Sequence, residues 1–412
     1  GGPPAGAPAF GQQAVADALG PVGGSGLAYV GAAFGVCLVN GVACTDVFYI
    51  PGTGMPSSVW SMDNTAMSFF GQMDYQISDS LTATLGLAYS DDSKDVSGDI
   101  TIIDAFAALP LEAAGLGALS GLQFFPAFRN YPNADENGKF DSDDVTHTLS
   151  LSYAMSDNTS IYMTHASGFK ATSVNMTVDA RDVRAADPED ATNIEIGLKT
   201  TFDNGYLNLA FFDQNIEGFQ SNAFSGTGFN LVNAGKESHK GVELDSMLAL
   251  SENLMLRVSA MSLDAVYDSF EKGTCDTTGL AEPQYQCPAG QPYVDLSGLN
   301  PAGIHDLSAN ANIVYSFNLG GALDGFARLE YVYEEDTNLA DLIPVSIAER
   351  GFKNVNASVG FNADNWSVMF WGRNITDHET LYSAFPTTAA PGSFSGYPSA
   401  PSTYGVTFKM DL

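Results

Sequence analysis

The sequence is poor in charged residues, and positive charge is especially scarce. Charged residues make up 16% of the 412 residues, against roughly 25% in ordinary soluble domains. Only 16 residues are Lys or Arg while 48 are Asp or Glu, for a formal net charge of −32. Such a chain has no basic surface to neutralise phosphates, which excludes nucleic acid as a partner. Both a solvated exterior adapted to salt and cation binding are consistent with this acidity.

Long apolar runs are also absent. A membrane-spanning helix needs about 18 to 20 consecutive apolar residues, and the longest candidate, 27–39, is shorter and contains two glycines. No basic residue precedes Lys94, so a signal peptide with a positively charged start is not visible. The chain begins with Gly1 and not Met, which suggests a processed or truncated product.

Catalytic motifs are missing. The five histidines are scattered, and the sequence has no HExxH motif, no Ser-His-Asp ordering and no Gly-rich phosphate loop. We therefore expect a protein that is not an enzyme and that carries no organic cofactor.

Cysteine is limited to two close pairs, Cys37 with Cys44 and Cys275 with Cys287. Each pair lies in an irregular stretch, where a disulfide could close a short loop in an oxidising compartment. Without a nearby His, these spacings disfavour zinc. The alternative to two disulfides is four free thiols.

From residue 66 onward the sequence repeats one pattern of strands. Arms of about ten residues alternate large apolar with small or polar side chains, as in 81–89 and 148–153. We predict thirteen strands near 66–77, 81–91, 143–155, 159–168, 190–201, 206–217, 238–250, 254–268, 304–317, 325–335, 353–362, 366–376 and 403–412.

The predicted connections alternate strictly between short turns and long inserts. Short loops therefore lie at one edge of the sheet and long loops at the other. A β-sandwich has no reason to sort its loops by length, whereas an outer-membrane barrel has short periplasmic turns and long extracellular loops. The sequence thus predicts an all-β, antiparallel transmembrane barrel with lipid-facing apolar positions.

The positions opposite the apolar ones carry the rare charges. Arg257, Arg328, Glu330 and Arg373 fall at predicted inward positions, and a wet barrel interior tolerates them. Because Arg is rare in this chain, we predict that Arg257, Arg328 and Arg373 attract an anionic ligand, with Glu330 beside them.

Four segments resemble the TonB-dependent outer-membrane receptors. They are, in order, GFKATSVN (168–175), PEDATNIEIGLKTTF (188–202), NAGKESHKGVELD (233–245) and WGRNITD (371–377). The resemblance implies a 22-stranded barrel with an N-terminal plug, located in the outer membrane of a Gram-negative type of cell. It also implies an energising TonB-type partner and uptake of a large nutrient such as a siderophore-iron complex.

The resemblance covers only part of such a receptor. No plug or TonB-interaction segment is recognisable, so we expect residues 1–65 to be an irregular region in an extracellular loop and 66–412 to be the C-terminal thirteen strands of the barrel, with the plug region missing. The alternatives are a passive porin-like channel and a secreted β-sandwich adhesin.

One acidic loop resembles a calcium-binding loop. The segment 133–144 has Gly138 at its sixth position, where an EF-hand-like loop turns sharply, and oxygen-bearing side chains suited to Ca²⁺. The alternative is a solvated acidic loop. The candidate ligands are Asn133, Asp135, Asn137, Asp141 and Asp144.

Overall fold

The structure, a computed structural model, describes residues 54–103, 138–175, 185–224, 229–276, 279–289, 293–340, 342–387 and 393–411. The chain forms two compact units. The larger comprises Met67–Asp91, Ser142–Ser173 and Ala186–Leu412. Described residues of the smaller unit include 54–66, 92–103 and 138–141.

Strands account for nearly all of the regular structure in the described residues. The one α-helix, α1 (Val345–Ala348), is a single turn, and no helix in the described part of the chain is long and apolar enough to cross a membrane. The strands in chain order are β1 (Gly54–Ser78), β2 (Leu81–Ile103), β3 (Lys139–Ser156), β4 (Thr159–Lys170), β5 (Ser173–Val174), β6 (Ala185–Ala186), β7 (Glu189–Phe202), β8 (Gly205–Glu217), β9 (Gln220–Phe224), β10 (Phe229–Asn233), β11 (Lys236–Ser251), β12 (Leu254–Ser269), β13 (Gly273–Thr274), β14 (Tyr293–Val294), β15 (Leu307–Asn318), β16 (Asp324–Asn338), β17 (Glu349–Asn362), β18 (Trp366–Arg373), β19 (Leu381–Pro386), β20 (Phe394–Pro398) and β21 (Thr403–Met410).

Thirteen strands form one sheet in the order β1-β2-β3-β4-β7-β8-β11-β12-β15-β16-β17-β18-β21. The predicted all-β fold and the predicted number of strands are confirmed. Neighbours in the sheet follow one another along the chain, apart from four small two-stranded sheets whose strands lie in the long connections. A single meandering sheet is not the pair of packed sheets that a β-sandwich needs.

The predicted sorting of loops by length is confirmed as well. Connections such as 79–80, 157–158, 203–204 and 252–253 are tight turns, whereas 270–306 and 374–402 are long and contain small hairpins. All long connections follow an even-numbered position in the sheet order, so they share one edge of the sheet.

Several strand boundaries differ from the prediction, and β2 runs to Ile103 and not to about 91. β1 begins at Gly54, so the last part of the region that we expected to be irregular, 54–65, is a strand; residues 1–53 lie outside the described residues. β18 ends at Arg373 and not near 376, because Asn374 has a positive φ of 48° that an extended strand does not permit. Alternation alone does not reveal these features.

One face of the sheet is apolar across many strands. The cross-strand register places Leu151, Met163, Ile196, Phe211 and Val242 in a continuous row over β3, β4, β7, β8 and β11. Large apolar side chains on this face are exposed, Ile196 to 53% and Phe211 to 54%. Apolar side chains that no other part of the protein covers are suited to contact with lipid hydrocarbon.

The opposite face is polar. Lys199, Asn208, Asp245, Ser259 and Asn310 form one row across β7, β8, β11, β12 and β15. Successive residues of a strand point to opposite faces. Each of these polar residues therefore has apolar neighbours in sequence whose side chains lie on the other face of the sheet. The sheet therefore separates an oily surface from a wet one.

Glycines opposite aromatic residues let rings lie flat on the sheet. A Cβ atom at Gly360 would overlap the ring of Phe326, its direct cross-strand partner, and the same holds for Gly405 and Trp371. The aromatic ring covers the backbone that glycine leaves bare. The other such pairs are Gly197 with Tyr162, Gly241 with Phe212, Gly325 with Phe317 and Gly372 with Tyr404.

Replacing one of these glycines should destabilise the sheet. We predict that Gly360→Ala lowers the free energy of unfolding by about 1–3 kcal/mol, because the ring of Phe326 must leave its position. Gly71→Ala is the matched control, since a Cβ there meets nothing within 4 Å. Urea unfolding in lipid vesicles measures both, and equal shifts in the two variants would contradict the packing described.

Candidate functional site

The four predicted ligand-site residues lie on the polar face of the sheet. Arg257 and Glu330 belong to one cross-strand row, joined through Asn312 between them. Arg328 lies in the next row with Trp371, and Arg373 follows two residues after Trp371 on the same face. Alternation of side chains along each strand thus predicts correctly that these four residues lie on the polar face, since this prediction requires only that residues be counted along a strand.

Carboxylates neutralise two of the three arginines. Arg328 Nη2 donates to Glu330 Oε1 at 2.9 Å, and Asn356 Nδ2 donates to Glu330 Oε2 at 3.1 Å. Arg257 Nη2 lies 3.7 Å from Asp245 Oδ1. These contacts reduce what Arg257 and Arg328 can offer an anion from solution.

Arg373 has a different environment. Its guanidinium lies 5.2 Å from the centroid of the Trp371 ring, within the range of a cation–π contact. Trp371 Nε1 in turn donates to Thr407 Oγ1 at 3.2 Å, which fixes the indole. Within the described residues Arg373 makes no ion pair, so it is the arginine best placed to receive an anionic or aromatic group.

A recess of about 370 Å³ in the polar face brings together three of the four predicted residues. It is lined by Arg328, Glu330 and Arg373, together with Asn356 and Trp371. Arg257 does not line it. Among the described residues that line the recess, Arg373 is therefore the cation without an ion pair, and it lies beside the Trp371 ring.

A second recess of about 540 Å³ was missed by the sequence reasoning. Four carboxylates line it, with Lys199 as the single Lys or Arg in its lining, and Lys199 Nζ lies 5.1 Å from the centroid of the Tyr162 ring. Tyr162 donates its hydroxyl to Glu195 Oε1 at 2.6 Å. Parity could have placed these residues inward, but which rows enclose a recess depends on the cross-strand register. The carboxylates are Glu195, Glu243, Asp245 and Glu334.

The acidic loop predicted to bind calcium is only partly described. Asn133, Asp135 and Asn137 lie outside the described residues, and Asp141 and Asp144 lie within β3. Asp141 and Asp144 are three residues apart in this strand, so their side chains point to opposite faces of the sheet. In the described part of the chain no three His, Cys, Asp or Glu side chains are grouped to hold a metal ion. Calcium binding by this loop stays a prediction.

The connection between β12 and β15 folds into a small module with its own core. A disulfide joins Cys275 to Cys287, and the pair packs near Phe270, Tyr285 and Leu296. Cys37 and Cys44 lie outside the described residues. The structure thus pairs the second set of cysteines as the spacing suggested.

Hydrogen bonds at the ends of the module secure its turns. Asp276 Oδ2 accepts hydrogen bonds from the backbone N–H groups of Leu280 and Ala281 at 2.8 and 2.9 Å. Asp295 accepts hydrogen bonds from both the hydroxyl and the backbone N–H of Ser297. These bonds lower the pKa of the Asp295 carboxyl, and the bond from the hydroxyl has the larger effect. These hydrogen bonds and the disulfide give this long loop a fixed conformation.

Comparison with known proteins decides the family. A family model described as the TonB dependent receptor-like β-barrel matches residues 15–375. The chain belongs to the TonB-dependent receptor family.

Solved structures of similar fold include two receptors and one transporter. The ferric yersiniabactin uptake receptor FyuA from Yersinia pestis superposes with a TM-score of 0.65 at 15% identity, over 87% of this chain and 47% of that one. The siderophore receptor PiuA from Acinetobacter baumannii gives 0.59 at 16% identity, over 85% and 43%. The copper transporter OprC gives 0.57 at 13% identity, over 85% and 48%. The chain spans less than half the length of these receptors, and the likeness at such identities concerns the fold.

Three of the segments that resemble this family meet in one hydrogen-bond network. Gln220 is nearly buried, and its amide donates to the carbonyls of Ala171 and Asp187 at 3.1 and 2.9 Å. Its backbone N–H donates to Glu189 Oε2 at 2.9 Å, which also lies 3.3 Å from Lys170 Nζ. The network ties the ends of β4, β7 and β8 together where the long loops begin.

Asn233, in the third of these segments, closes the same network. Its side-chain amide donates to the carbonyls of Asp187 and Gly218 at 3.0 and 2.6 Å, while its Oδ1 accepts from the N–H of Asp187 at 2.7 Å. Gly235, two residues later, has a φ of 73°, which glycine adopts without strain. These motif residues of the TonB-dependent receptor hold loop bases; they do not line either recess.

The fourth segment works in a similar way at the end of β18. Asn374 is 3% exposed, and its amide donates to the carbonyls of His378 and Ala400, each at 3.0 Å. Its Oδ1 accepts from the N–H of His378 at 2.9 Å. Asp377 Oδ1 accepts from the N–H of Ser402 at 2.9 Å. The segment therefore ends the strand and clamps both ends of the loop 374–402.

Loss of this clamp should be measurable. We predict that Asn374→Ala lowers the free energy of unfolding by about 2–4 kcal/mol, because three backbone groups lose a partner and alanine must adopt a left-handed conformation. Asn374→Gly should lose less, since glycine tolerates the positive φ.

The matched control is Asn158→Ala. Asn158 is exposed in a tight turn, and within the described residues its side chain makes no hydrogen bond. We expect a change of less than about 0.5 kcal/mol there. Urea unfolding in lipid vesicles again serves as the measurement, and an Asn374→Ala variant as stable as this control would rule out the clamp.

Proposed function

We propose that the chain forms part of an outer-membrane receptor that imports a large nutrient, such as a siderophore-iron complex, with energy from a TonB-type protein. The observation that carries the proposal is a single sheet with an exposed apolar face, a polar face with recesses, and all long loops at one edge. Relatives with this fold include receptors named for ferric yersiniabactin and siderophore uptake.

The apolar face supports a location in the outer membrane. Rows of exposed Leu, Met, Ile, Phe and Val side chains would contact lipid hydrocarbon. The backbone polar groups of neighbouring strands pair with each other, as a bilayer requires, except at the outer edges of β1 and β21 in the described sheet. Outer-membrane lipid is therefore the first partner that we propose.

The energising partner is proposed for the whole receptor. TonB-dependent receptors form a family of transporters and receptors, and we propose that this one likewise catalyses no chemical reaction. We propose that the contact with the TonB-type protein is made by the plug region of the whole receptor.

The ligand is proposed to pass along the polar face. Arg373 and Trp371 in the smaller recess suit an anionic or aromatic part of an iron chelate, with Arg328 and Glu330 beside them as a neutral pair. Arg257, already near Asp245, contributes less. We therefore place the main attraction for an anionic ligand at Arg373.

Uptake of a radiolabelled ferric siderophore by cells that express the complete receptor tests the proposal. We expect uptake that stops when the TonB-type protein is deleted. Arg373→Ala should reduce uptake at subsaturating ligand by about fivefold, since one cation contact is lost. Lys409→Ala, which removes a positive charge outside the recess, is the control.

Two results would contradict the proposal. Ion conduction in planar bilayers, together with uptake in cells that lack the energising protein, would identify a passive channel and contradict the proposal. Equal uptake by the two variants would instead remove Arg373 from the ligand path.

A further inference from the structure

Two of the five histidines meet on the apolar face of the sheet. His165 of β4 pairs across the strands with Leu149, whose side chain is 52% exposed on that face. His147 lies two residues before Leu149 on β3, and residues two apart on a strand point to the same side. Since the two histidines are 18 residues apart in the sequence, the cross-strand register is what brings them together.

The facing nitrogens of the two rings are close to each other. His147 Nε2 lies 2.8 Å from His165 Nδ1, and the ring centroids are 4.9 Å apart. Without a metal ion one of these nitrogens donates a hydrogen bond to the other, which holds the two half-buried rings side by side. Neutral imidazole is also the commonest protein ligand of transition metals. The pair therefore has the chemistry of a two-nitrogen chelate.

The separation of the two nitrogens matches one coordination geometry better than another. With metal–nitrogen bonds of about 2.0–2.1 Å, adjacent corners of a square plane place two nitrogens about 2.8–3.0 Å apart, whereas corners of a tetrahedron place them about 3.3–3.4 Å apart. Square-planar and tetragonal nitrogen sites are typical of Cu²⁺ and Ni²⁺, and Cu²⁺ binds most tightly among the divalent metals of this series. To converge on one ion the rings turn about χ2, which is a soft torsion in histidine.

Ser167 orients the ring of His147. Its hydroxyl oxygen lies 2.9 Å from His147 Nδ1 and accepts a hydrogen bond from the backbone N–H of His147 at 3.0 Å. Ser167 follows His165 by two residues on β4, so it shares the same face. When Nε2 binds a metal, Nδ1 carries the hydrogen and donates it to Ser167 Oγ, as the second nitrogen of a metal-bound histidine usually does. The arrangement thus includes a partner that fixes the ring.

The pair lies at the outer boundary of the apolar surface. His147 precedes Ser156, the last residue of β3 before a tight turn, by nine positions. At about 3.3 Å per residue and a tilt of roughly 35–45°, nine residues rise about 21–24 Å, close to the height of the apolar band of such barrels. Further along the row of His165 the side chains become charged, since Asp213 and Lys240 form an ion pair at 3.5 Å. Water can therefore reach the two rings.

We propose that His147 and His165 form a binding site for a divalent transition metal, with Cu²⁺ preferred. The ion takes His147 Nε2 and His165 Nδ1 as neighbouring ligands and water in its remaining positions. It joins β3 to β4 at the outer boundary of the apolar face. Neither histidine lines either recess of the polar face, so the site is separate from the proposed ligand path.

Electron paramagnetic resonance of the purified complete receptor in lipid vesicles, with an equimolar amount of Cu²⁺, tests the proposal. We expect a tetragonal Cu²⁺ signal that is split by two imidazole nitrogens. His147→Phe and His165→Phe should each abolish this signal and weaken Cu²⁺ binding by at least about a hundredfold, since one of two protein ligands is lost. Phenylalanine is used because a ring of similar size suits a lipid-facing position. Ser167→Ala should keep both nitrogens and weaken binding by about tenfold.

His305→Ala is the matched control, because His305 lies in the long connection before β15. It should give the same signal and affinity as the unmodified receptor. Cu²⁺ should also raise the urea midpoint of the unmodified receptor and leave that of His147→Phe unchanged, since an ion that binds only the folded state stabilises it. A two-nitrogen signal that persists in His147→Phe, an equal loss in His305→Ala, or tighter binding of Zn²⁺ than of Cu²⁺ would overturn the proposal.

Discussion

Backbone hydrogen bonds in a solvent without water are the constraint on which this structure depends. In hydrocarbon each unpaired N–H or C=O group costs several kcal/mol, and a sheet meets this demand by pairing every strand with its neighbours. The thirteen strands pair in sequence order, so the demand is met between neighbouring strands, and within the described sheet the outer edges of β1 and β21 lack a partner strand. Side chains then have only two directions, one towards lipid and one towards water.

The long loops follow from the same constraint. Irregular backbone cannot lie in hydrocarbon, so everything that departs from the strand pattern collects at one edge. There the chain must satisfy its polar groups by other means. Gln220, Asn233 and Asn374 do this with side-chain amides that bond several carbonyls at once. Parts of the family-like segments are therefore explained by backbone bonding at loop bases, whereas Trp371 and Arg373 of the fourth segment line the smaller recess.

Alternation along the strands predicted much of the fold but little of the site. The number of strands and the shared polar face of Arg257, Arg328, Glu330 and Arg373 follow from a period of two residues. The ion pairs of Arg257 and Arg328 could not be predicted, because they depend on cross-strand register and on rotamers. The second recess around Glu195 and Glu243 was missed for the same reason. The early end of β18 depends on a positive φ at Asn374, a property of one residue that no periodicity expresses.

The central claim is that alternate residues of a strand face lipid and water, and fluorescence quenching along β12 tests it most directly. Single cysteines at Leu254, Leu256 and Val258, and at Met255, Arg257 and Ser259, would carry a bimane label in the receptor in lipid vesicles, with Cys37→Ser and Cys44→Ser as background. The account predicts that brominated lipid quenches the first set and aqueous iodide the second. Quenching that does not alternate, or that reaches both sets equally from water, would contradict it.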